Sequence, residues 1–117
     1  MRNAKMSDLT GKILVRIVVA EDKSNIVFST VDGPRYKMYH QQDCCEDVSI
    51  EDIVGELDDL IGLPILEARE STNEGDTGGG TFTWTFYVLR TNRGSVTIRW
   101  YGESNGYYSE DVTLLEI

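Results

Sequence analysis

Histidine occurs once in this chain, and cysteine and proline occur twice each. One histidine and two cysteines leave little from which to assemble the closed ligand set of a structural zinc site. The cysteines, Cys44 and Cys45, are neighbours. Adjacent cysteines bridge only through a strained ring, so no structural disulfide is expected and a reducing cytoplasm is the natural compartment. No segment approaches the roughly 20 apolar residues of a membrane-spanning helix. Met1 to Lys12 carries basic residues without an apolar run behind them, so neither a signal peptide nor membrane attachment is expected. Basic charge is also scarce, with 11 Lys and Arg against 20 Asp and Glu and a net charge of −9. Such a surface repels nucleic acid and anionic membranes and keeps a protein soluble. It complements a protein whose groove is lined with Lys and Arg.

What is present suits one folded domain. With 117 residues, 40% of them hydrophobic, the chain can bury a core without covalent help. Residues 1–10 read as a polar lead-in and 11–117 as a single domain. From Gly11 the pattern has period two: Ile13, Val15, Ile17 and Val19 fall on one face, and Leu14, Arg16 and Val18 on the other. Runs at 26–30 and 35–40, separated by Val31-Asp32-Gly33-Pro34, complete an expected antiparallel meander. The period then changes. Ile50, Ile53, Val54, Leu57 and Ile61 have helical spacing, Ser49 suits the N-cap, and Gly62 and Pro64 suit the stop, which predicts a short helix over 50–61. Residues 64–70 are expected to form a strand, and the polar, Gly-rich 71–80 a mobile hairpin loop. Phe82, Trp84, Phe86 and Val88 alternate with Thr81, Thr83, Thr85 and Tyr87 in a long strand. The tight turn Asn92-Arg93-Gly94 leads into the next, in which Val96, Ile98 and Trp100 oppose Thr97, Arg99 and Tyr101. Ser104-Asn105-Gly106 reads as a further hairpin turn before a last strand at 107–115. The expected class is α+β: a largely antiparallel, curved sheet of about seven strands with one short helix packed on it.

Two clusters concentrate chemistry. The first, Tyr39 to Asp47, contains His40, Asp43, Cys44, Cys45 and Glu46. These types would bind a transition metal or pair a thiolate with an imidazole, yet the spacing is poor for a metal and the acidic neighbours raise a thiol pKa. The bland alternative has His40 closing a strand and the acids making turn hydrogen bonds. The second, Arg99 to Tyr108, packs Arg99, Tyr101, Glu103, Asn105, Tyr107 and Tyr108 around one hairpin. Exposed tyrosines beside Arg and Asn suit a binding surface, and cross-strand aromatic pairs equally suit an ordinary sheet. Glu51-Asp52 and Asp58-Asp59 read as a solvated face. No Ser–His–Asp arrangement, phosphate loop or dinucleotide fingerprint occurs, so no catalytic residue, metal or cofactor is expected.

The runs Tyr36-Lys37-Met38-Tyr39-His40, Asp43-Cys44-Cys45-Glu46 with Ile50-Glu51-Asp52-Ile53, Phe82-Thr83-Trp84-Thr85-Phe86-Tyr87, and Val96 through Tyr108 resemble a family of small proteins encoded by bacteriophages and by bacteria carrying mobile elements. The likeness spans about Gly11 to Leu114. It implies an intracellular accessory protein made during infection. In that context an acidic surface suggests a binding protein that occupies the basic channel of a host defence or nucleic-acid-handling protein, in the manner of an anti-CRISPR. The rival expectation is a binder that sequesters a small ligand or nucleotide, gripped by Arg99, Tyr101 and Asn105. An enzyme, resting on the His40–Cys45 segment, is the third. An exposed edge strand would further allow a homodimer.

Overall fold

Alternating side chains make strands along most of the chain, and the computed structural model describes them over residues Met1–Ile117. They are β1 (Arg2–Asn3), β2 (Leu14–Val19), β3 (Asn25–Thr30), β4 (Arg35–Tyr39), β5 (Asp47–Val54), β6 (Glu67–Asp76), β7 (Thr81–Arg90), β8 (Ser95–Ser104) and β9 (Thr113–Glu116). The five-stranded sheet has the order β1-β9-β4-β3-β2 and the four-stranded sheet the order β5-β8-β7-β6. Every strand pair is antiparallel. The largely antiparallel expectation therefore stands, whereas the single seven-strand sheet with a packed helix does not. Helix is confined to two 3₁₀ turns, Met6–Leu9 and Leu57–Leu60.

The predicted helix over 50–61 is strand β5 followed by the second of these turns, and Ser49 pairs with Tyr101 instead of capping. The reason lies in a bulge. Between Ile50 and Asp52 the register against β8 slips by one, so Glu51 is the extra residue. Ile50 is buried and Ile53 packs against the core, three positions apart. A bulge thus gives a strand the spacing of a helix. The same device reorders β2, where a register shift between Leu14 and Arg16 leaves Val15 50% exposed. Leu14 is fully buried and Ile17 and Val19 pack on the core, so Leu14 and Val15 exchange the faces predicted for them.

The core lies between the sheets. Ile26, Phe28, Tyr36 and Met38 from one side meet Ile50, Tyr87, Leu89, Val96, Ile98 and Trp100 from the other. The Trp100 indole N–H points at Met38 Sδ, 3.2 Å away. Residues 1–10, read as a polar lead-in, contribute buried Met6 and Leu9, and Arg2 pairs with Glu116. Gly11 N–H donates to Ile65 O and Ile65 N–H to Lys12 O, which ties the segment before β2 to the segment before β6. No helix is long and apolar enough to cross a membrane.

The stretch 71–80, expected as a mobile loop, is mostly strand. β6 pairs residue by residue with β7 from Glu67↔Arg90 to Asp76↔Thr81. Its polar sequence is that of an outermost strand with most side chains in solvent. Gly75 belongs there because the Phe82 ring lies across it: a Cβ would sit 2.9 Å from Phe82 Cζ. The last strand is also shorter than expected. Residues 105–112 leave β8 as a connection, and β9 crosses to the other sheet between β1 and β4. Ser104-Asn105-Gly106 therefore does not join hairpin partners.

Candidate functional site

The register of β7 against β8 determines which side chains share a face. Val96, Ile98 and Trp100 are buried, as are Thr83, Thr85, Tyr87 and Leu89. Phe82, Trp84 and Phe86 therefore point the other way, with Arg99 and Tyr101 as cross-strand partners of Phe86 and Trp84. These five side chains are half-buried and no other element covers them. Tyr101 lies 4.7 Å from Trp84 and 6.1 Å from Phe82, centroid to centroid, and Trp84 lies 6.0 Å from Phe86 with the rings 6° from parallel. The Arg99 guanidinium sits over the Trp84 ring at 5.2 Å and is 3.6 Å from Asp52. The Tyr101 hydroxyl donates to Glu103 at 2.5 Å, and this bond, then burial, pushes its pKa up to about 12. Asp47, Glu51, Asp52 and Glu103 make the β5 side of the face acidic. The result is a flat row of rings with an acidic margin.

The expected site residues fall into three groups. Arg99, Tyr101 and Glu103 belong to this face. Asn105, Tyr107 and Tyr108 lie on the connection beyond β8: Asn105 Oδ1 accepts the Tyr107 N–H at 2.9 Å, and Tyr107, 84% exposed, meets Tyr108 edge-on at 5.0 Å. His40, Asp43 and Glu46 lie apart, in the β4–β5 loop. There Glu46 Oε1 accepts the N–H groups of Asp43 and Cys44 and the Gln42 amide. His40 Nδ1 is 2.7 Å from Asp111 O, so this nitrogen must carry the hydrogen. Its Nε2 faces Glu46 Oε2 at 3.3 Å with both side chains buried. Burial raises the Glu46 carboxyl, but its own backbone N–H, those of Cys44 and Asp43, and His40 outweigh it and hold the group below its ordinary value. Contrary to expectation, Cys44 and Cys45 are joined as a disulfide, their Cα atoms 3.7 Å apart in the turn that Glu46 gathers, and no free thiol remains beside His40. No group of three or more His, Cys, Asp or Glu side chains is arranged to hold a metal ion.

Phe82, Trp84 and Phe86 were not among the expected site residues, although the turn at Asn92-Arg93 carried the signal. Thr91 N–H donates to Gly94 O across it. Counting back from that pair sets Phe86 opposite Arg99 and Trp84 opposite Tyr101.

A further polar group, centred on Glu110, anchors the connection after β8. Glu110 is 7% exposed and accepts the hydroxyls of Thr81, Thr83 and Ser104 at 2.5, 2.8 and 2.5 Å. Burial pushes its carboxyl up, but these hydroxyls outweigh it and hold the group below its ordinary value of 4.5. A carboxyl lowered on folding stabilises the fold above its unfolded value and loses that contribution as pH falls through the folded one. The melting temperature should therefore hold from pH 7 to about 5 and then drop as Glu110 and Glu46 protonate. Glu110→Gln should cost about 1.5–3 kcal/mol at pH 7 and make the acid limb shallower. An equally steep limb in the variant, measured by thermal melts from neutral pH downward, would remove Glu110 from this account.

Neither the curated proteins nor the solved structures contain a match to this chain. Residues 7–114 match a family described as a domain of unknown function (DUF7448). The match covers nearly all of the two-sheet fold, aromatic face included, and the chain belongs to that family.

Proposed function

We propose that this is a binding protein whose outer sheet face docks on a protein partner with a basic surface. The observation that carries the reading is the uncovered row Phe82, Tyr101, Trp84 and Phe86, with Arg99 lying on it. Aromatic and Arg side chains dominate the energetics of protein interfaces. The margin of Asp47, Glu51, Asp52 and Glu103, on a chain of net charge −9, supplies the complement to Lys and Arg. In the phage context that the resemblance implies, the partner is a host defence or nucleic-acid-handling protein, and occupation of its basic channel inhibits it as an anti-CRISPR does. A tagged pull-down from bacterial lysate at low and moderate salt tests this. One basic protein should be recovered in stoichiometric amount and lost as salt rises, because screening weakens the charge attraction. Recovery that ignores salt, or of no basic protein, would remove the reading.

A second reading draws on the same stack. A guanidinium over two rings beside Tyr101 is also a platform for a nucleobase. The face is flat, however, and Arg99, Tyr101 and Asn105 line no cavity. Small-molecule sites are concave. A thermal-shift series with nucleotides separates the two, since a ligand bound well above its Kd raises the melting temperature and a protein docking face gives no shift.

A further inference from the structure

The opposite side of the same sheet carries a different kind of surface. β6 is outermost, and ten residues of it have no strand on the far side. Thr77 N–H donates to Gly80 O at the hairpin tip, and pairing runs without a break from there to Glu67↔Arg90. Alternation along an antiparallel ladder then assigns the odd-numbered residues of β6 to the bonds with β7. The N–H and C=O groups of Ala68, Glu70, Thr72, Glu74 and Asp76 point to this outer edge, and the 3₁₀ turn Met6–Leu9 lies against part of the strand. Beneath that edge run two adjoining cavities of about 690 and 380 Å³, both lined by Asp111. β6 and β7 form one wall, and the other is built from the connection after β8, the start of β9 and, in the larger cavity, residues Asn3 to Met6. Glu70, Glu74, Asp76, Glu110 and Asp111 line them, with Lys5 as the one basic residue.

We propose that this edge and groove receive an extended, Lys- or Arg-bearing segment of a partner protein, which adds to the sheet beside β6. The backbone ladder would supply affinity and the alternate side chains selectivity, as in other strand additions. Charge identifies the occupant. A basic segment meets the acids of the groove, whereas a second copy of β6 would bring Glu67, Glu70, Glu74 and Asp76 against the same charges. Acidic side chains on an exposed edge discourage self-pairing and leave it open to a partner of opposite sign. The site shares only Phe82 with the aromatic face, and Trp84, Phe86, Arg99 and Tyr101 line neither cavity, so each can fail without the other.

The test pans a library of random linear peptides against the full chain at low salt and titrates the enriched peptides into isotope-labelled protein. Enriched sequences should place Lys or Arg at alternate positions, and their binding should slow hydrogen exchange at the amides of Glu70, Thr72 and Glu74. The double variant Glu74→Lys, Asp76→Lys should weaken binding by about ten-fold or more. Both positions are exposed, so its melting temperature in the absence of peptide should stay close to that of the parent. Trp84→Ala should leave peptide binding unchanged. No enrichment, enrichment without basic residues, protection on the outer face instead of β6, or protection of β6 that grows with protein concentration alone would each overturn the proposal. The last outcome would assign the edge to a second copy.

Discussion

Trp84→Ala should weaken binding to the proposed basic partner by about 30-fold or more, the loss of roughly 2 kcal/mol or above that marks a central aromatic anchor. Trp84 touches Tyr101 and Phe86 and carries the Arg99 guanidinium, so its removal leaves the other members without a support. The same change should cost the free protein only about 1 kcal/mol, the scale of a surface aromatic pair. Calorimetry of binding alongside denaturant melts of the free variant separates the two quantities. Loss of stability comparable with loss of binding would mean that the ring is a structural prop. Unchanged affinity would place the docking surface elsewhere.

The other tryptophan should behave in the opposite way. Trp100→Ala is expected to lower the unfolding free energy by about 3–5 kcal/mol, through lost burial and the cavity that remains. Trp100 has no exposed surface and sits among residues of both sheets, with its N–H directed at Met38 Sδ. Against a total stability of about 5–15 kcal/mol for a domain, such a loss could leave the chain largely unfolded at growth temperature. Trp100→Phe, which keeps a large apolar ring, should recover a good part of it. Urea unfolding of both variants checks this, and a loss under about 1 kcal/mol for the alanine variant would contradict a Trp100 that joins the sheets.

The two rings are sixteen positions apart in strands of nearly identical alternation, and the pattern alone does not say which face of β7 is inside. Thr83 and Thr85 are buried although they are polar, because Glu110 engages the first and Trp100 pairs with the second. Long-range partners of this kind leave no local trace. The order of the β2 to β4 meander and the β7–β8 hairpin were legible because turn residues separate alternating runs there, although the alternation misplaces Leu14 and Val15 in β2. The predicted helix at 50–61 and the reversed faces of Leu14 and Val15 share one cause, a single inserted residue in each strand, which local spacing reproduces as a different period. The start of β6 lies within the strand expected over 64–70, but its stretch 71–76 was hidden by its composition: an edge strand in solvent needs no apolar face, and Gly75 leaves room for a ring supplied by its neighbour. On the candidate site, Arg99 and Tyr101 were readable as members of a surface. The three rings that complete it required the register of the Asn92-Arg93 turn.

The clasp between the chain's two extremes bears on the timing of folding. β2 to β4 and β6 to β8 pair with sequence neighbours and can zip locally, each from its own turn. β9 must find β4 about 80 positions away, as in Tyr36↔Glu116, and β1 then has only β9 to pair with. Closing loops of that length delays the reward of contact, so the half-sheet β2–β4 waits with the β4 edge bare. The expected order is two local hairpin systems, then their docking through Trp100 and Met38, then β9, with β1 last. A slow phase seen by Trp100 fluorescence should precede the protection of the β1 and β9 amides, and the waiting β4 edge is where a crowded refolding mixture would aggregate first.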